Sequence, residues 1–278
     1  MTSGLLVLAT LLLWYRGNPI ASSNVNASTI QQPSQLPTEP ELGPYHQLSY
    51  QQWLTILRRE AAAIAQSHPQ RLNVLAGDSL SLWFPQEFLP QGVTWLNQGI
   101  SGETSVGLLR RLKFFDQTEP QIIFVMIGIN DLIRGVSEET LVANHREIIR
   151  HLKAVHPRAT IVVQSILPHG GDRASQRYLK STLGDPAPGH NPRPAWVKRL
   201  PLIPNRQIRN LNQRLSEIAR EERVDYLDLH TLFTDKEGDL RDDLSTDGLH
   251  LSQQGYTVWR SQLERFNSLR SPTSLSKP

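Results

Sequence analysis

The sequence predicts an α/β domain built on a parallel sheet of five strands. Five short apolar runs, at 72–76, 93–96, 122–127, 160–166 and 224–229, recur along the chain, and runs of that length bounded by turn residues read as buried strands. Stretches with apolar residues at helical spacing separate them; such alternation gives parallel strands with helices on both faces. Several of the runs end in clusters of Gly, Asn, Asp or Ser, and in open α/β sheets ligands bind at the carboxyl ends of the strands.

Folded structure is expected to begin near Ser49. This residue can cap a helix in which Gln52 completes a capping box, followed by Trp53, Ile56, Leu57, Glu60 and Ile64 at helical spacing. The first strand, 72–76, leads into Gly77-Asp78-Ser79, where glycine and aspartate signal a sharp exit from the sheet. Helical patterns follow at Val106, Leu109, Leu112 and Phe115; at Leu141, His145, Ile148 and Leu152; at Ile208, Leu211, Leu215 and Ile218; and, to close, from Ser252 through Tyr256, Trp259, Leu263 and Phe266.

The 278 residues are 38% hydrophobic and 20% charged, enough for one core of ordinary size with tails to spare, so one domain is expected at 47–268. The absence of cysteine excludes disulfides and thiolate metal sites. A net charge of +3, from 29 basic against 26 acidic residues, is too modest and too dispersed to point to nucleic acid.

Residues 1–20 are expected to form a signal or membrane anchor. Their apolar run, 5–15, has 11 residues, fewer than the roughly 17 to 25 that span a bilayer. No Lys or Arg precedes the run, and small residues at Val25 and Ala27 lie far downstream, so a longer anchor beginning upstream explains it as well as a signal peptide does. Residues 21–46 are polar and punctuated by proline, a disordered linker by composition. An exported or membrane-anchored protein of the cell envelope is the expectation, with a cytoplasm-facing anchor as the alternative that Arg16 favours. Residues 269–278 read as a tail.

The segment 170–205 interrupts the alternation. It is rich in Pro and Gly and carries Arg173, Arg177, Lys180, Arg193, Lys198 and Arg199 against Asp172 and Asp185. A loop this long in a compact domain is a lid, a binding loop or a disordered stretch. Its charge suits an anionic substrate or a lipid surface, or simply a solvated basic loop.

Four polar blocks carry the chemistry. Ser79 sits where a strand turns into a helix, an arrangement that exposes a nucleophile and aims backbone amides at developing negative charge, although Gly-Asp-Ser also makes ordinary turns. The second strand ends in Asn97-Gln98-Gly99-Ile100-Ser101-Gly102-Glu103-Thr104, where glycines permit close backbone approach and the next helix start offers free amides. The third ends in Gly128-Ile129-Asn130-Asp131. Asn130 can aim its amide nitrogen at an oxyanion or cap its own turn, and Asp78 and Asp131 read as loop-shaping. Asp247-Gly248-Leu249-His250 lets one turn present an imidazole and the carboxylate that fixes its tautomer; a capping or core histidine is the other reading.

In this order the blocks resemble the GDSL, or SGNH, family of serine hydrolases, over the stretch from about Asn73 to the helix after His250. The resemblance implies a flavodoxin-like three-layer sandwich around the five-stranded parallel sheet. It implies Ser79 as nucleophile, His250 as base and Asp247 as its orienter, with the amides of Ser79 and Gly102 and the side chain of Asn130 as oxyanion hole. Glu103 stands where relatives often have Asp, a departure expected to affect local capping alone.

The expected activity is ester hydrolysis, with a deacetylase or short-acyl bias, on a small-molecule, carbohydrate or lipid ester. An O-acyltransferase on a carbohydrate using the same site, and a non-catalytic binding module on the same fold, are the alternatives. No metal or cofactor is expected. The other eight histidines lack ligand spacing; His145 and His151, six apart, do not share a helix face.

Overall fold

The computed structural model describes residues 48–172 and 195–269. The predicted anchor, linker and tail, and the body of the basic insertion, lie outside the described residues. Among those described, no helix is long and apolar enough to cross a membrane.

Helix α1 (Tyr50–Ser67) opens on the predicted capping box: Ser49 Oγ accepts the Gln52 N–H at 3.3 Å, and Gln52 Oε1 accepts the Ser49 N–H at 2.7 Å. Then come β1 (Leu72–Gly77), the short helix α2 (Ser79–Leu82), β2 (Thr94–Gly99), α3 (Ser105–Arg111), β3 (Ile122–Met126), α4 (Ile129–Ile133), α5 (Glu138–Val155) and β4 (Thr160–Gln164). The last part of the predicted insertion loop is instead helical, α6 (Ala195–Arg199), because Val197 and Leu200 are buried there; α7 (Asn205–Glu221), β5 (Asp225–Leu227), α8 (His230–Phe233) and α9 (Gln253–Leu269) follow.

All five strands are parallel, in the order β2-β1-β3-β4-β5. This is the flavodoxin-like order, and the winding reverses between β1 and β3, which pair directly with Leu75 opposite Phe124. Ser79 follows β1 and Asn130 follows β3, so the two candidate residues stand on either side of the switch point.

Both faces of the sheet are apolar because both are covered. Along β3, Ile122, Phe124 and Met126 point into one core with Phe84, Tyr256, Trp259 and Leu263, while Ile123, Val125 and Ile127 point into another with Leu108, Leu112, Ile148 and Leu152. A third cluster joins Val163 and Ile166 to Ile208, Leu211 and Leu215 of α7.

The structure shifts some predicted boundaries. Strand β2 runs on through polar Asn97 and Gln98 to Gly99, because backbone pairing with Leu75, Ala76 and Gly77 of β1 continues where the apolar run stops. The predicted helix through Val106, Leu109, Leu112 and Phe115 ends at Arg111, with a 3₁₀ turn at Leu112–Phe114. Its buried face is rotated, taking in Leu108 and Arg111 while Val106 and Leu109 stay half-buried. On that face Arg111 turns inward to a buried carboxylate described below.

Candidate active site

At the end of β1 the chain turns at Asp78, whose Oδ1 accepts the Leu80 N–H at 3.0 Å and caps α2. Ser79 is thereby the first residue of that helix, buried to 6% exposure. Gly99 of β2 lets the helix sit close: a methyl group there would press on the Leu82 backbone nitrogen and stand 2.8 Å from the Asp78 carbonyl oxygen. Gly99→Ala is therefore expected to displace the turn that carries Ser79. Crowding of this kind costs ~1–3 kcal/mol, to be read as a lowered urea midpoint.

The loop between the isolated bridge partners Ser245 and Leu251 carries Asp247 and His250. It is held tightly, with the His250 carbonyl accepting from Thr246 N–H at 3.0 Å and Ser245 Oγ at 2.9 Å. Asp247 Oδ1 accepts the backbone N–H groups of Leu249 (2.9 Å) and His250 (2.7 Å), leaving Oδ2 for the His250 ring at Nδ1, 2.7 Å away. Burial opposes ionisation of Asp247, but the hydrogen bond and charge of His250, helped by those amides, outweigh it and hold the carboxyl below its ordinary range. An ionised Asp247 accepts a hydrogen bond from Nδ1–H and so favours the tautomer in which Nε2 can accept. Nε2 lies 3.2 Å from Ser79 Oγ.

Asn130 sits in the first turn of α4, just after Gly128 with its φ of 136°. Its Nδ2 points back to block one, 3.5 Å from Asp78 Oδ2. Gly102 occupies the turn after β2 at φ 70°, a left-handed conformation that favours glycine. Its carbonyl accepts from Arg134 at 3.0 Å. The structure thus brings Ser79, His250, Asp247 and Asn130 together at one sheet edge, with Gly102 in the adjoining turn.

Glu103, the departure noted in the sequence, is fully buried and paired with Arg111 at 2.8 Å. Arg111 also donates to the carbonyls of Gln98 (2.6 Å) and Gly77 (2.9 Å), joining the carboxyl ends of β2 and β1. Glu103 Oε1 accepts the Thr104 N–H at 3.0 Å, and Tyr50 from α1 donates to Oε2 at 3.2 Å. Asp131 accepts the N–H and hydroxyl of Ser105, at 2.9 and 2.6 Å, tying α4 to the start of α3. His145 is buried, and burial lowers its pKa to about 4, so it is neutral near pH 7. Among the described residues, no group of three His, Cys, Asp or Glu side chains is placed to hold a metal ion.

Two tryptophans near the site escaped the sequence reading. Trp83 lies against the His250 ring with centroids 4.1 Å apart, and Trp196 of α6 meets it edge-on at 5.8 Å. Trp83 follows Ser79 by one helical turn, a spacing visible in the sequence; Trp196 lies within the segment 170–205 and gives no local signal. The neck of the insertion also touches the loop bearing Asp247, through the Gly170 N–H to Gly248 carbonyl bond at 2.7 Å.

The model of the GDSL-like Lipase/Acylhydrolase family matches residues 75–258, more than half of the chain. An N-acylneuraminate cytidylyltransferase of Streptococcus agalactiae is 24% identical over 70% of this chain, which spans only 38% of that protein's length. The isoamyl acetate-hydrolyzing esterase of Saccharomyces cerevisiae is 25% identical over 60% of this chain and 66% of its own. Among solved structures, a GDSL-like lipase from Bacteroides thetaiotaomicron superposes with a TM-score of 0.60 at 18% identity, covering 78% of this chain and 98% of that one. With the family model running from β1 into α9 and the fold shared with a solved member, the chain belongs to the GDSL-like lipase/acylhydrolase family.

Proposed function

We propose that this chain is a carboxylic ester hydrolase that works through an acyl-enzyme on Ser79, with a preference for short acyl groups. The observation that carries the reading is the unbroken relay from Ser79 Oγ through His250 to Asp247, at 3.2 and 2.7 Å. A serine hydroxyl is a weak nucleophile, and His250 Nε2 stands where it can take the proton as Oγ attacks an ester carbonyl. The same nitrogen returns that proton to the leaving alcohol. A water then attacks the acyl-enzyme by the same route, giving the acid and restoring Ser79. Asp247 stabilises the imidazolium formed in each half-reaction, while Trp83 and Trp196 wall the ring.

The tetrahedral oxyanion would be met by the backbone N–H groups of Ser79 and Gly102 and by Asn130 Nδ2. The relative named as an isoamyl acetate-hydrolyzing esterase supports a small ester substrate. Release of p-nitrophenol from acetyl, butyryl and longer p-nitrophenyl esters is the test. Acetyl and butyryl esters should turn over fastest, and Asn130→Ala should lower kcat by ~10²- to 10³-fold, as loss of one oxyanion donor does. Failure of the wild-type chain to hydrolyse any of these esters would contradict the reading.

A further inference from the structure

We infer that Asp78 is a positioning residue for the oxyanion hole: its second carboxylate oxygen decides which end of the Asn130 amide faces the reacting carbonyl. The inference rests on the reading of Asn130 as an oxyanion donor. Asp78 is 1% exposed and lies between two donors from different elements. Oδ1 accepts the Leu80 N–H at 3.0 Å, and Oδ2 faces Asn130 Nδ2 at 3.5 Å. One oxygen therefore caps the helix of Ser79, and the other addresses the side chain across the switch point.

The second contact matters because a side-chain amide is nearly symmetric in shape, with oxygen and NH₂ at interchangeable positions. Packing alone cannot choose between them; charge can. An ionised carboxylate only accepts, so it selects the orientation with NH₂ toward Asp78. The second hydrogen of that NH₂ is then available to an oxyanion. In the reversed orientation Asn130 Oδ1 would face both the carboxylate and the oxyanion, repelled by each.

The surroundings make the choice sensitive. Asp131 follows Asn130 on α4, Glu103 approaches from the β2–α3 turn already paired with Arg111, and the Tyr256 hydroxyl on α9 donates to the Leu80 carbonyl at 3.1 Å. Burial, with Asp131 and Glu103 adding to it, pushes Asp78 up to about 7. A protonated Asp78 could donate to the reversed amide, so the acceptor character of this group has to be maintained for turnover.

Asp78→Asn is the discriminating variant because it keeps the shape and one acceptor oxygen but not two. The cap retains that oxygen for Leu80, which leaves NH₂ facing Asn130 and favours the reversed amide. With p-nitrophenyl acetate, Asp78→Asn should lower kcat by ~10²-fold, the scale of a lost oxyanion donor, with KM little changed. In an Asn130→Ala background it should cost nothing further, since its route of action is already gone. Asp78→Ser, which can cap but offers no second acceptor, should behave alike if the amide variant folds poorly by circular dichroism. Wild-type kcat in a folded Asp78 variant, or losses that multiply in the double variant, would overturn the inference while leaving the esterase reading intact. Wild-type kcat in Asn130→Ala alone would instead remove the oxyanion reading, and this inference with it.

Discussion

Ser79→Ala is expected to abolish ester turnover, lowering kcat by ~10⁴- to 10⁶-fold, the range seen when a serine nucleophile acting with its base is removed. His250→Ala should cost about as much, and the double variant no more than either. The reason lies in the 3.2 Å approach of Oγ to Nε2: neither group does chemistry without the other, so their losses cannot add. Asp247→Asn should fall short of both, because the ring keeps its neighbours Trp83 and Trp196 while losing the carboxylate that fixes its tautomer. Steady-state kinetics on p-nitrophenyl acetate checks the set, and additive losses would refute a coupled pair.

The second large effect falls on stability. Arg111→Met should destabilise the domain by ~3–5 kcal/mol, the usual consequence of leaving one member of a buried ion pair without its partner. Arg111 and Glu103 are 2% and 0% exposed, so water cannot replace the lost guanidinium. The carbonyls of Gly77 and Gln98 lose their donor as well, and with it the tie between β1 and β2 at the edge that carries the site. Arg111→Met with Glu103→Gln should recover part of the loss, because the stranded charge is then gone. Urea denaturation monitored by circular dichroism measures both variants, and an unchanged midpoint in Arg111→Met would contradict the assignment.

Those two expectations differ in how visible their residues are in the sequence. Ser79 and Asn130 could be read because each lies in a short polar block at a predicted strand end, where the parallel topology must bring them to one edge; the Asp247-His250 pair, 20 residues past β5, could be read from its own spacing just before the closing helix. The sheet itself was legible for the same kind of reason: Leu75 and Phe124, or Val74 and Val125, belong to apolar runs that only two covered faces explain. Arg111 was not legible. On an amphipathic helix a charged residue reads as solvent-facing, and only the tertiary placement of Glu103, eight residues earlier, turns it inward. Trp196 was hidden similarly, since its contact with His250 joins residues 54 apart in the sequence. The double duty of Asp78 was half visible: capping is local, whereas its approach to Asn130 spans 52 residues and depends on β1 pairing with β3.

The central claim, that Ser79 is an activated nucleophile, is tested most directly by treating the purified chain with a fluorophosphonate probe and locating the adduct by peptide mass spectrometry. A single adduct on the peptide containing Ser79, lost in His250→Ala under the same conditions, is the predicted result. Absence of labelling in active-site-intact protein, or an adduct that survives at Ser79 without His250, would contradict it.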